Sequence, residues 1–287
     1  MQATPTPADV NAPVGIFDSG LGGVSVLRAV RAALPGERLL YVADSLYAPY
    51  GERDDDFIAD RTLAIGKWMV SQGAKALVVA CNTATAQSIA AAREQLPIPL
   101  VGVEPGIKPA ALLSQSRVVG VLATAVTLRS ARFQSLIDRH AGDCRFILQP
   151  GHGLVQAVER CDTRSPELMA LLESYIRPML DAHADTLVLG CTHYPFLDQA
   201  IRAIAGERLA LIDTSVAIAR QTERLLELHG LRATPHDAPR HDLPRLCSTG
   251  DGASLRQLAT SLLGLDTQVV RVVIRSRRTR ELESDAV

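Results

Sequence analysis

The sequence predicts an α/β fold of two pseudo-symmetric lobes, each a mostly parallel sheet flanked by helices, with the active site in the cleft between them. Three observations carry this expectation. Short apolar runs rich in Val, Ile and Leu alternate with segments of helical period, the rhythm of a parallel sheet covered on both faces. The alternation restarts near residue 118. Two cysteines also close matching runs. Ala76-Leu77-Val78-Val79-Ala80 leads into Cys81-Asn82-Thr83-Ala84, and Thr186-Leu187-Val188-Leu189-Gly190 leads into Cys191-Thr192-His193-Tyr194-Pro195.

In chain order, residues 14–17 form a first strand and 23–34 a helix. A strand over 39–43 is followed by a helix over 55–71, and a strand over 76–80 by a helix over 83–95. The second series has a strand at 118–122, a helix over 165–182, a strand at 186–189 and a helix after Pro195. Val14-Gly15-Ile16-Phe17-Asp18-Ser19 can be laid over Val119-Gly120-Val121-Leu122-Ala123-Thr124 as a weak internal repeat. A helix over 215–228 returns the chain to the first lobe. An exposed Pro-, His- and Asp-rich loop over 232–244, a strand near Leu246 and a helix over 253–263 follow. The expected lobes are therefore 13–107 plus 215–265, carrying Asp18 and Cys81, and 108–214, carrying Cys191 and His193. Residues 1–12 and 273–287 are expected to be flexible tails.

Composition narrows the function classes. With 287 residues, 47% of them apolar, the chain is long enough for one large core or two smaller ones. The formal net charge is -1 and no Lys/Arg stripe with interleaved aromatics occurs, so no nucleic-acid partner is expected. The Arg-rich stretch 271–280 reads as a solvated tail. No apolar run approaches the ~20 residues of a membrane helix, and residues 1–12 lack a basic-then-apolar signal pattern, so a cytoplasmic protein without membrane attachment is expected. Five cysteines without a Cys-x-x-Cys point to reduced thiols. Cys144, Cys161 and Cys247 lack the frame shared by the other two and read as structural.

Two thiols at the carboxyl ends of two like strands suit a reaction in which a carbon next to a carboxylate is inverted. One group removes a proton from one face and the other returns a proton to the opposite face. A free thiol titrates near ~8.5, so each gains from a helix amino terminus or a proton acceptor close by. Cys81 directly precedes the helix expected at 83–95. A Cα–H beside a carboxylate is less acidic than a thiol by something on the order of ten pKa units, about 14 kcal/mol. Backbone N–H groups and hydroxyls must therefore hold the substrate and its developing charge away from water. Asn82, Thr83, Thr192, Ser19 and Thr124 fall on strand-end loops where they can contribute.

Asp18-Ser19-Gly20-Leu21-Gly22-Gly23 sits between a strand and a helix, the place of a nucleotide loop. Ser25 stands where G-x-G-x-x-G needs its third glycine, no Gly-Lys-Ser/Thr follows, and an acidic strand end repels phosphate. Asp18 suits polarising Cys81, binding a substrate ammonium or capping the helix. His193, two residues past Cys191, is placed as a Cys–His partner. Pro49-Tyr50-Gly51 reads as a turn. No metal-ligand spacing and no lysine in a Schiff-base setting occurs, so neither a metal nor any cofactor is expected.

These motifs together resemble the glutamate racemases. The resemblance rests on Gly15-Ile16-Phe17-Asp18-Ser19-Gly20-Leu21-Gly22-Gly23, Asp44 with Pro49-Tyr50-Gly51, Ala80-Cys81-Asn82-Thr83-Ala84 and Gly190-Cys191-Thr192-His193-Tyr194-Pro195, and runs from about residue 13 to 265. It implies cofactor-independent conversion of L- to D-glutamate for bacterial cell-wall peptidoglycan. In that reading Cys81 and Cys191 are the acid/bases, assisted by Asp18 and His193. It further implies substrate contacts from Asp18, Ser19, Tyr50, Gly51, Asn82, Thr83, Thr192 and His193, and a homodimer. Many members of the family carry a Cys-Pro pair some eight residues before a glutamate near the second thiol. Here Glu159 fits the glutamate, while Gly151-His152 replaces the pair.

Two alternatives stay open at this level. An aspartate racemase of the same family tends to carry an acidic residue after the second Cys-Thr, where this chain has His193. A two-lobed amino-acid-binding or regulatory protein without turnover would keep the cleft and tolerate small alkyl caps on the thiols.

Overall fold

A computed structural model describes residues 9–140, 142–233 and 243–284. The first part of the chain alternates as expected: β1 (Val14–Asp18), α1 (Val24–Ala33), β2 (Leu39–Ala43), α2 (Asp55–Ser71), β3 (Ala76–Val79), α3 (Asn82–Gln95) and β4 (Leu100–Gly102). A second series follows: α4 (Ile107–Leu113), β5 (Val118–Ala123), α5 (Ala125–Arg129), α6 (Ala131–His140), β6 (Arg145–Pro150), α7 (Leu154–Glu159), α8 (Pro166–Asp181), β7 (Thr186–Gly190), α9 (Asp198–Ala205) and β8 (Ala210–Ile212). The chain ends with α10 (Ser215–Leu228), β9 (Arg245–Ser248), α11 (Ala253–Leu263), β10 (Val269–Arg271) and α12 (Arg277–Ser284).

The strands make two parallel sheets, one of six in the order β10-β9-β2-β1-β3-β4 and one of four in the order β6-β5-β7-β8. Central strands are buried on both faces, which explains their unbroken apolar runs. Helices α1, α10 and α11 cover one face of the larger sheet, and α2 and α3 the other. In the smaller sheet α7, α8 and α9 cover one face, α4 and α6 the other. Side-chain caps start α2 and α8: Asp54 accepts from Phe57 N–H at 2.7 Å and Ser165 from Leu168 N–H at 3.2 Å. Losing either to Ala costs about 1 kcal/mol.

In each sheet the chain runs from the first strand to a neighbour on one side and then crosses to the other side. Such reversal points, at the carboxyl ends of β1 and β3 and of β5 and β7, are where open parallel sheets bind ligands. The pairing registers are the same. Phe17 pairs with Val79, two residues before Cys81, and Leu122 pairs with Leu189, two residues before Cys191. The overlay of residues 14–19 on 119–124 therefore reflects real equivalence in three dimensions.

The ends of the chain differ from expectation. The stretch 273–284 is no solvated tail: Ile274 is buried, its carbonyl accepts from Arg61, and α12 packs on α2. β10 also joins the larger sheet beyond residue 265. Arginines dominate this stretch, yet Ile274, Ser276 and Thr279 between them are buried, and Arg278 pairs with Asp56 at 3.2 Å. At the other end, Val10 O accepts from the buried Lys75, so residues 9–12 are pinned. Residues 1–8 and 285–287 of the expected tails, and 234–242 of the expected loop, lie outside the described residues.

Candidate active site

The loops after β1, β3, β5 and β7 converge where the two sheets meet. Cys81 is the N-cap of α3, and its Sγ accepts from Ala84 N–H at 3.5 Å while lying 3.4 Å from Ser19 Oγ. Ser19 reaches it because register sets the residue two after Phe17 level with the residue two after Val79. The helix terminus expected beside this thiol is thus present. Burial, and then the Asp18 charge, push the Cys81 thiol far above its ordinary range, against the Ser19 and Ala84 hydrogen bonds, and the Cys191 charge adds a little to the rise.

Asp18 is fully buried. Its Oδ2 accepts from Gly23 N–H at 2.8 Å, at the start of α1, and Thr192 Oγ1 lies 3.4 Å from Oδ1. The carboxylate therefore holds the backbone just ahead of α1 and reaches across to the second sheet's loop at once. Burial raises its pKa and Glu159 adds to that, while His193 and the Gly23 N–H oppose it.

Around Cys191 the support differs. His193 Nδ1 is 3.7 Å from Cys191 Sγ, and Nε2 is 2.6 Å from Glu159 Oε1. Burial alone would strip the imidazole of its proton. The hydrogen bonds to Cys191 and Glu159, with their charges, outweigh burial and hold His193 well above its ordinary range. Glu159 is held in turn by Leu21 N–H, 2.6 Å from the same oxygen. This is why the loop after β1 is glycine-rich without holding phosphate. A Cβ on Gly20 would stand 2.0 Å from Glu159 Oε1, and one on Gly22 would stand 2.4 Å from His193 Nδ1.

Hydroxyls close the floor between the lobes. Thr83 Oγ1 is 2.9 Å from Thr124 Oγ1, which is 2.9 Å from Thr127 Oγ1, all buried. Gly51 stands against this cluster, where a Cβ would be 3.1 Å from Thr124 Cβ. Asn82 is buried with no protein partner for its Oδ1. Thr192 is buried beside Asp18. The Tyr50 hydroxyl is turned away to Asp44, donating to Oδ2 at 2.5 Å. A pocket lined by Gly51, Thr124, Gly151, His152 and Val155 opens beside these groups, with Glu52 accepting from Gln156 at its rim.

The structure thus brings together Asp18, Ser19, Asn82, Thr83, Cys81, Thr124, Glu159, Cys191, Thr192 and His193, with the Tyr50–Gly51 turn at the edge. Sequence reasoning missed Thr127 and the backbone of Leu21. A threonine three residues past a capping threonine was the available signal for the first. No side-chain signal existed for the second.

Comparisons with known proteins show the family to which the chain belongs. The Asp/Glu/Hydantoin racemase family matches residues 22–222. A glutamate racemase of Ralstonia pickettii is 57% identical over 92% of each chain, and one of Pseudomonas aeruginosa is 46% identical over 92% of this chain and 98% of that one. Among solved structures, Escherichia coli glutamate racemase in complex with L-glutamate and the activator UDP-MurNAc-ala superposes with a TM-score of 0.80 at 33% identity, covering 92% of this chain and 100% of that one. Glutamate racemase of Francisella tularensis in complex with D-glutamate gives 0.79 at 26% identity, covering 92% and 98%. The chain belongs to the Asp/Glu/Hydantoin racemase family, within its glutamate racemases, and is an amino-acid racemase.

Proposed function

We propose that the protein interconverts L- and D-glutamate without a cofactor, by a two-base mechanism with one thiol on each face of Cα. The single observation that carries this is the pair of buried sulfurs at register-equivalent strand ends of two facing sheets. In one direction a Cys191 thiolate, supported by the His193 imidazolium, takes the Cα proton, and the Cys81 thiol delivers its own proton to the opposite face. The product state then holds a Cys191 thiol and a Cys81 thiolate, the form that runs the reverse reaction. Glu159 orients His193, and Asp18 supports Cys81 when it acts as base.

Substrate is held by groups already in place. The unpartnered Asn82 Oδ1 suits an ammonium N–H, and the Ser19, Thr83, Thr124 and Thr192 hydroxyls suit carboxylate oxygens. The lobes are assigned as 13–107 plus 215–265 and 108–214, with β10 added to the first. D-Glutamate supplied in this way serves peptidoglycan synthesis. The reading includes work in the cytoplasm and a homodimer. Among the described residues no helix is long and apolar enough to cross a membrane, and the cysteines are free thiols.

Incubation with L-glutamate in heavy water, with no cofactor added, tests the reaction. D-Glutamate carrying Cα deuterium is expected, and aspartate is expected to turn over far more slowly. Absence of exchange in folded protein with intact thiols would contradict catalysis, and favour the binding-protein alternative.

A further inference from the structure

Among the described residues, the largest fully buried side chain is an arginine that the mechanism does not use. Arg61, on α2, and Asp44, just after β2, are both 0% exposed. The guanidinium holds the carboxylate side-on along its Nε/Nη2 edge, Nη2 to Oδ1 at 2.7 Å and Nε to Oδ2 at 3.0 Å, and its Nη1 donates to Ile274 O at 2.5 Å. Its plane lies over Tyr47, 4.5 Å from the ring centre. The other acceptor sites of Asp44 take Tyr50 Oη–H on Oδ2 and Thr249 Oγ1–H at 2.9 Å on Oδ1, and Thr249 Oγ1 also accepts from Leu46 N–H at 3.2 Å.

A buried ion pair is weak evidence of a stabilising role, because hydrophobic residues of similar volume often serve as well. What stands out is where this one points. Every ligand of Asp44 lies on, or ties down, the loop that follows β2: Tyr50 within it, Thr249 against Leu46, and Arg61 stacked on Tyr47. That loop carries Gly51 against Thr124, on the wall where the hydroxyls collect. Asp44 N–H also donates to Asp18 O at 2.9 Å, so the network abuts the site's own carboxylate residue.

We propose that Arg61 is a positioning residue for the racemase site: through Asp44 and Tyr50 it sets the Pro49–Gly51 wall against which substrate is bound, and it makes the backbone at Ile274 part of that assembly. The inference rests on the glutamate reading given above. Lysine cannot reproduce it, since a point charge lacks the planar fork that spans Asp44 and Ile274 together.

The test uses the full chain with Arg61→Lys, Tyr50→Phe and Thr249→Val, measuring KM and kcat for L-glutamate below each variant's melting temperature. Arg61→Lys is expected to raise KM about ten-fold or more with a smaller change in kcat. Tyr50→Phe combined with Arg61→Lys is expected to be little worse than the poorer single variant, because both act through Asp44. If Arg61→Lys does not fold, Tyr50→Phe with Thr249→Val, each losing a neutral side chain's bond to Asp44, carries the same comparison. Amide hydrogen exchange is expected to rise across 45–52 and 272–276, a readout independent of turnover. Lower melting temperatures with unchanged KM and unchanged loop protection would overturn the proposal. Additive effects, as expected if the Tyr50 hydroxyl touched substrate itself, would do so as well. Failure of the glutamate reading would instead appear as lack of turnover in the unmodified protein, and the change in loop exchange between it and Arg61→Lys would still decide the role of Arg61.

Discussion

Cys81 and Cys191 occupy the same place in the same frame and have opposite surroundings. At the Cys81 end the neighbours are a buried carboxylate, a serine hydroxyl and the amino terminus of a fourteen-residue helix. At the Cys191 end they are an imidazole whose pKa is held up and a glutamate behind it, and the chain enters a short 3-10 turn over Tyr194–Leu197 before α9 begins. Even the equivalent hydroxyls diverge: Ser19 contacts its cysteine, whereas Thr124 turns to Thr83 and Thr127. A repeated backbone thus places two like thiols, and the side chains packed around them differ in charge and kind. An acid on one wall and a base on the other are what inversion at one carbon requires.

Removing the imidazole should break this asymmetry most severely. His193→Ala takes away the cation beside Cys191, and kcat is expected to fall about a thousand-fold in a racemisation assay, within the usual span of acid–base contributions. Asp18→Asn should cost on the order of a hundred-fold. It should also move Cys81 towards its ordinary range, seen as faster alkylation of the Cys81 peptide at a given pH by mass spectrometry, because one cause of the rise has been removed. An unchanged alkylation profile would break the assigned Asp18–Cys81 coupling.

Gly22→Ala sharpens the comparison sterically, since its methyl would stand 2.4 Å from His193 Nδ1 and 2.6 Å from Thr192 Oγ1. Activity is expected to drop several tens-fold while circular dichroism stays native, as a displaced catalytic group of ~1 Å costs about that or more. Glu159→Gln should have the smallest effect, about ten-fold, with a pH signature. Glu159 helps to raise His193, so its loss lets the imidazole deprotonate at lower pH, and the alkaline limb of the rate profile should shift down. Stability has the same sign. A histidine that holds its proton more tightly when folded contributes fully below the unfolded value near ~6.5 and loses that contribution as pH rises through the folded value. Glu159→Gln should narrow that window in denaturant titrations at stepped pH.

The asymmetry was only partly legible in the sequence. Strands with unbroken apolar runs, such as 76–79 and 186–190, announce themselves because both faces are buried, and the polar residues that follow them mark the cleft. Short or edge strands did not: β4, β8 and β10 have three residues each, and β6 is half-exposed and ends in Pro150. Glu159 was reached through family resemblance, since nothing local marks the last residue of a six-residue helix as a partner of His193, 34 positions away. Arg61 was invisible for a related reason. On an amphipathic helix an arginine reads as solvated, and only tertiary structure brings Asp44, Tyr50 and Ile274 around it.

The most direct test of the central claim follows Cα–H exchange with solvent in Cys81→Ser and Cys191→Ser, starting separately from L- and from D-glutamate. Each variant should lose exchange from one enantiomer far more than from the other, with the preference reversed between the two. Equal impairment from both enantiomers in both variants would contradict the assignment of one thiol to each face.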